Sequence, residues 1–432
     1  MDNIEKIYSL FRKNHRICTD SRLIDKGDIF FALKGETFNG NRFAVQAIER
    51  GAEVAIVDDP YLKENPKITY VPDVLEFLQA LASYHRSKLS IPFIALTGSN
   101  GKTTTKELIT CVLKSKFKTY STQGNLNNHI GVPLTILSVP INAEMAVIEM
   151  GANHEGEISK LCEIAKPTHG LITNIGKAHL EGFGSIDGVK RAKSELYNFL
   201  LKIDGSVFID TNNKILNEII IKFGFKNNVI PYGRELHHVD SIASKNGKLA
   251  FNFTISNGIS FRIKTQLAGE YNIENILAAL CVGNHFDIDI KKAIRSIEKY
   301  APSNNRSQII KTNSNTLLID AYNANPSSME SALHNFSTTT HKYPKVVILG
   351  EMLELGKYSE SEHNRIAEMA TRLGFEKIIF VGNGFKQTQL NHLWFSTSKM
   401  CLKHIKSNPL SKKFILIKGS RGVNMDIIAD SL

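Results

Sequence analysis

Residues 94–106, IALTGSNGKTTTK, combine side chains and spacing suited to a phosphate group. Glycines 98 and 101 would let backbone N–H groups approach an anion, and a helix N-terminus just beyond them adds partial positive charge. Lys102 can reach terminal phosphates, and the Thr103 hydroxyl is a ligand for Mg²⁺. The spacing is not that of the common G-x-x-x-x-G-K-[ST] loop, which needs glycine where this chain has Leu96. The plainer alternative is an ordinary strand–turn–helix corner with a chance Gly-Lys pair. The flanks favour the phosphate reading. An apolar run before the turn reads as a buried strand, and Leu108, Ile109, Val112 and Leu113 after it share one helical face.

Glu149 and His179 have types and positions that suit the same chemistry. Glu149 closes an apolar run at 145–150, and Asn174 closes another at 168–174. In an open parallel sheet the carboxyl ends of the strands face one crevice. Glu149 is therefore expected to face the phosphates and hold Mg²⁺, a hard cation that prefers oxygen ligands. A strand-terminal Glu facing water is the alternative. His179, in GKAHLEG (176–182), follows a strand end and is a candidate for ligand or transition-state contact. Lys193 falls in a helix expected over 188–201, and by pattern alone reads as a solvated or salt-bridged lysine.

The elements that must carry these residues alternate between strand and helix, which implies an α/β fold. Residues 1–86 read as a small mixed domain, with strands at 28–33 and 52–57 and a helix at 43–50. Residues 87–300 read as a central parallel-sheet domain containing the glycine loop. It includes a hairpin at 249–254 and 260–265 around Asn257-Gly258, and an apolar helix at 272–282. Residues 301–305 read as a linker, and 301–432 as a second α/β domain of Rossmann-like pattern. Its strands are expected at 346–349, 377–381 and 414–418, each followed by a glycine-containing loop, but no G-x-G-x-x-G opens a helix there.

At 432 residues two or three domains are expected, and 42% apolar residues suffice for real cores. The net charge of +11 suits an acidic partner. Lys and Arg are spread along the chain without an aromatic-basic patch, so a nucleotide is expected rather than nucleic acid. Five widely spaced cysteines without C-x-x-C argue against a disulfide framework or zinc site and for a reducing cytoplasm. No stretch approaches the apolar length needed to span a bilayer.

Taken together, the motifs resemble the Mur ligase family, ATP-dependent amide-forming enzymes of peptidoglycan precursor synthesis. The likeness runs through DSR (20–22), ALKG (32–35), TGSNGKTT (97–104), NLNNHIGVP (125–133) and EMGANH (149–154). It continues through His179, Lys193, DAYNANP (320–326), LGEMLELG (349–356) and KGSRG (418–422). YNANP and GEMLELG resemble the branch that adds a dipeptide, and the Asp-Asn-Pro-Arg motif of the diaminopimelate-adding branch is missing. This chain has Asn305 before Arg306 where the family often has Gly, and Tyr271 before Asn272 where it often has His.

The resemblance implies a small N-terminal UDP-binding domain, a central P-loop-type ATPase domain and a C-terminal Rossmann-like domain. It implies a ligase joining D-alanyl-D-alanine to the tripeptide carboxylate of UDP-N-acetylmuramoyl-tripeptide through an acyl phosphate. The alternative is another Mur-type or folylpolyglutamate-type amide ligase. By the same resemblance Gly98, Ser99, Asn100, Gly101, Lys102, Thr103 and Thr104 hold the ATP phosphates. Asn275 reads adenine, and Arg306, Asp320 and Asn323 contact ATP from the C-terminal domain. Ser21, Arg22, Lys34, Gly35 and Thr37 bind the UDP end; Asn127, Tyr322 and Asn325 are further substrate-binding positions. Thr103, Glu149, His179 and a carbamylated Lys193 surround Mg²⁺, with Lys102, His179 and Lys193 as catalytic residues. A cytoplasmic monomer is expected.

Overall fold

The structure is a computed structural model that describes residues 3–14, 16–255, 257–302, 306–388 and 392–432. Residues 303–305 of the expected linker, Asn305 among them, lie outside the described residues. The chain divides into two compact units. One comprises residues 1–95, 117–152 and 156–169; the other comprises 96–116, 153–155 and 170–432.

The first unit opens with a four-stranded sheet in the order Ile17–Cys18, Ile29–Phe31, Val54–Val57 and Ile68–Tyr70, all parallel. The helix expected over 43–50 is split. A 3₁₀ turn, Gly40–Phe43, precedes the helix Ala44–Glu49. Asn39 starts the turn early, because its side chain accepts from the Asn41 N–H. Gly40 fits the turn for steric reasons, since a Cβ there would lie 2.5 Å from the Leu33 carbonyl oxygen.

Arg86 fastens the helix Val74–Ser87 to this unit. Its buried guanidinium donates to the carbonyls of Ala165 (2.8 Å), Leu89 (2.6 Å) and Lys166 (2.9 Å), and lies 3.9 Å over the Phe93 ring. Three carbonyl acceptors and a ring face replace the water such a charge loses on burial. Burial pulls its pKa down to about 10, so it remains charged at neutral pH.

In the second unit the strand Ser206–Asp210 pairs in parallel with Val229–Tyr232. The hairpin around Asn257-Gly258 forms from Lys248–Thr254 and Ser260–Ala268, with Asp240–Lys245 added as a third antiparallel strand. A six-stranded sheet follows in the order Gln308–Lys311, Thr316–Asp320, Phe414–Lys418, Lys345–Gly350, Lys377–Val381 and Leu393–Phe395. Only the first pair is antiparallel. Phe414–Lys418 is buried along its length, as an inner strand covered on both faces must be. The three strands expected here are found. The edge strand Leu393–Phe395 was not anticipated, because three residues are too short for a periodic signal.

Asp210 ends its strand with a side chain 5% exposed, and its Oδ1 accepts from the Asn212 N–H at 3.0 Å. Burial pushes its carboxyl up to about 6; Glu274 adds to the rise, while the Asn212 bond and Arg234 oppose it. The folded state therefore holds this proton at a pH where the unfolded chain, with a pKa of about 3.9, has released it. Stability falls as pH climbs from about 4 to about 6. Asp210→Asn keeps an acceptor and removes the titration. It should gain roughly 1–3 kcal/mol near pH 8, and nothing below about pH 4. Denaturant melts at the two pH values check this; a gain that does not vary with pH refutes it.

Among the described residues no helix is long and apolar enough to cross a membrane. All five cysteines are free thiols.

Candidate active site

The glycine loop joins the fully buried strand Phe93–Thr97 to the helix Lys102–Leu113, as the residue pattern requires. Gly98 (φ 145°) and Gly101 (φ 78°) take backbone conformations that favour glycine. A Cβ at 98 would collide with Thr173 Oγ1, and one at 101 would lie 2.8 Å from Asn275 Oδ1. The loop is pinned from the strand end at 174. Ser99 N–H donates to Asn174 O (3.0 Å), Asn100 N–H to Asn174 Oδ1 (3.0 Å) and Thr173 Oγ1 to Asn100 O (2.6 Å). Ser99 Oγ also donates to Gly176 O at 3.1 Å. Lys102 folds back over the turn, and its Nζ donates to Gly98 O at 2.7 Å. The ammonium is thus stationed above the loop. Thr103 is buried on the first helical turn and Thr104 follows it.

Asn275 lies beneath this corner and is only 7% exposed. Its Oδ1 accepts from Thr105 Oγ1 (2.9 Å) and its Nδ2 donates to Asn272 Oδ1 (2.8 Å). The geometry makes it a brace for the loop, whatever else it contacts.

The C-terminal candidates gather at one end of their sheet. Asp320 Oδ2 accepts from the buried Lys418 Nζ at 2.6 Å, and Lys418 also reaches Asn323 O at 3.3 Å. The Arg306 guanidinium stacks 3.5 Å over the Tyr322 ring, with Arg421 at 5.6 Å. Asn325 caps the helix Pro326–Thr338, accepting from Ser328 N–H at 2.9 Å, while its Nδ2 donates to Asn100 Oδ1 at 2.8 Å. Lys177 meets the same region, its N–H donating to Ser327 Oγ (3.0 Å) and its Nζ to Glu362 (2.6 Å).

His179 adopts a left-handed conformation (φ 51°) at the start of the short helix Leu180–Phe183. Its Nδ1 lies 2.5 Å from Glu354 Oε2. This imidazole holds the Glu354 carboxyl below the usual range. Of the two residue-pattern readings of Lys193, solvated or salt-bridged, burial rules out the solvated one. The residue is 1% exposed on the helix Ile186–Lys202, its Nζ 5.1 Å over the Phe183 ring. The signal was present in the sequence: Val189, Ala192, Leu196, Tyr197 and Leu200 form the buried stripe that includes it.

The remaining candidates belong to the first unit. Glu149, 1% exposed at the end of the strand Met145–Glu149, accepts from Asn127 Nδ2 through Oε1 at 2.7 Å. Asn127 is held in turn by Gly151, whose N–H donates to its carbonyl at 2.7 Å. Asn127, expected to contact substrate, thus also orients the Glu149 carboxylate. Ser21 is buried and its carbonyl accepts from Arg50 at 3.2 Å. Arg22 grips Asp20 in a two-pronged pair (2.9 and 2.7 Å), which holds the Asp20 carboxyl down at about 2. Lys34 pairs with Asp58 at 2.8 Å, and Asn41 bonds the same carboxylate at 2.7 Å. Gly35 and Thr37 lie on the exposed tip of the two-stranded turn Lys34–Gly35 and Phe38–Asn39. No packing contact calls for glycine at 35.

Three regions of the chain match known families. Residues 13–86 match the catalytic domain of the Mur ligase family, 96–283 the Mur ligase middle domain, and 305–421 the glutamate ligase domain of Mur ligases. The UDP-N-acetylmuramoyl-tripeptide–D-alanyl-D-alanine ligase of Bacillus subtilis is 34% identical, across 97% of this chain and 93% of its own. The Escherichia coli ligase of the same name is 33% identical over 96% and 93%. The crystal structure of MurF from Acinetobacter baumannii superposes with a TM-score of 0.87 at 31% identity, covering 96% and 93% of the two chains. The three-domain α/β architecture is therefore shared along nearly the whole length. A glycine cradle with its lysine in place, matches in all three regions and relatives of the same extent lead to one conclusion: this protein belongs to the Mur ligase family.

Proposed function

We propose that this protein is the ATP-dependent ligase that joins D-alanyl-D-alanine to the tripeptide carboxylate of UDP-N-acetylmuramoyl-tripeptide. The observation that carries this reading is the full-length likeness to ligases named for that reaction. A carboxylate is a poor electrophile because its charge repels nucleophiles. ATP as co-substrate removes that obstacle: a carboxylate oxygen takes the γ-phosphoryl group and ADP departs. The dipeptide amine then attacks the acyl carbon, loses a proton, and phosphate leaves. Little covalent work falls to the chain, so positioning and charge neutralisation dominate.

The residues divide that work. Gly98 to Thr104 hold the phosphates, with Lys102 turning from the Gly98 carbonyl to the anion. Arg306, Asp320 and Asn323 meet the nucleotide from the C-terminal domain, and Asn275 supports the loop beside the adenine. Ser21, Arg22, Lys34, Gly35 and Thr37 receive the UDP end, while Tyr322 and Asn325 lie towards the incoming dipeptide. Thr103 and Glu149 are hard oxygen donors, and Glu149 is a buried carboxylate already oriented by an amide, a donor set that suits Mg²⁺. With His179 and a carbamylated Lys193 they would hold that ion, whose charge offsets that of the phosphates. We assign 1–86 to UDP-substrate binding, 87–300 to ATP binding and 301–432 to the C-terminal ligase domain, in a monomeric cytoplasmic enzyme.

Mass spectrometry of the product from ATP, UDP-N-acetylmuramoyl-tripeptide and D-alanyl-D-alanine tests this reading. The expected product carries the whole dipeptide. Phosphate release should depend on the dipeptide and ignore single amino acids; the reverse preference overturns the proposal.

A further inference from the structure

We propose that Glu354 is a positioning residue for His179, a carboxylate brought by the C-terminal domain that fixes the imidazole with Nδ1 protonated and Nε2 left for the reacting groups. The inference rests on the ligase reading above. His179 Nδ1 is buried, and among the described residues it has no well-aligned hydrogen bond. Glu354 Oε2, at 2.5 Å, is the group that meets it. An ionised carboxylate only accepts, so the proton between them resides on Nδ1 and the lone pair on Nε2. Imidazoles that serve a metal or a reacting group are commonly oriented this way, through a carboxylate on the far nitrogen.

The pair is built from both sides. His179 holds a left-handed φ of 51° and Glu354 one of 62°, backbone conformations that side chains other than glycine adopt at a cost. The Glu354 carbonyl accepts from Glu181 N–H at 3.1 Å, so backbone and side chain of one residue grip the same loop. The Phe183 ring stands edge-on to the imidazole, with centroids 6.4 Å apart. Docking of this segment does not depend on the carboxylate, because Lys177 holds it through Ser327 and Glu362. Glu354 is half-exposed, so its replacement should leave the fold in place.

Glu354→Met, Glu354→Asp and Lys177→Met in the full chain separate positioning from docking. Long-range ¹H–¹⁵N spectra of histidine-labelled protein report the ring tautomer, with His179 assigned through His179→Gln. The wild type should show one Nδ1–H tautomer, Glu354→Met should lose it, and Lys177→Met should keep it. Turnover of Glu354→Met should fall about 10–100-fold in kcat, with KM for ATP and dipeptide within about twofold, and Glu354→Asp should recover part of the loss. An unchanged ring spectrum in Glu354→Met, or a kcat within about twofold of wild type, overturns the proposal. The ring spectrum needs no substrate, so it decides the pairing whichever amine the wild type accepts.

Discussion

Lys102→Ala should reduce turnover by at least about 10²–10³-fold, the cost of deleting one preorganised charge at a developing anion. Two bonds of its ammonium run to carbonyls of its own loop, Gly98 at 2.7 Å and Ser99 at 3.4 Å. Losing such a bond costs about 1 kcal/mol, a change of a few degrees at most in the melting transition. Phosphate release and a thermal melt on the same preparation check both halves. Near-normal turnover would remove the phosphate-cradle assignment; a collapsed melt would show that the lysine serves the fold instead.

Lys193→Ala should lose most activity, and acetate or formate should restore part of it. The reasoning starts from burial. A lysine only 1% exposed on a largely apolar helix face is rare unless it is paired or the site uses it. As an ammonium it has donors alone and cannot bind a cation. As the neutral amine it can add to CO₂, lose a proton and become a carbamate, which presents two anionic oxygens. Small carboxylates diffusing into the space left by alanine mimic those oxygens. Lys193→Met, which keeps the apolar stem and fills that space, should be equally inactive and gain little from them. An alanine variant that neither acid revives argues against the carbamate.

Local signals in the sequence were enough for the glycine corner. Strand, turn and helix are adjacent there, and the two glycines of the turn have positive φ. The parallel strands of the C-terminal sheet were equally legible from unbroken apolar runs. Partnerships across long separations were not. Nothing in the sequence near Asn127 points to Glu149, and nothing near Asp320 points to Lys418; only the folded chain pairs them. Lys193 falls between. Its buried stripe was readable, but lysine at such a position usually extends its tip to water, and burial prevailed because the rest of that face is apolar. The short edge strand Leu393–Phe395 is defined by its neighbour Lys377–Val381 rather than by its own residues.

Asn325 performs two tasks with opposite ends of one amide: the oxygen caps the start of a helix and the nitrogen ties that helix to Asn100 in the glycine loop. Aspartate or serine would cap the helix as well, but neither offers the amide's second group, an N–H donor, in that direction. The choice of side chain at this position is therefore narrowed from several to one. A swap to aspartate would leave every helix standing and yet present a carboxylate to the carbonyl oxygen of Asn100's side chain, turning a tie into a repulsion.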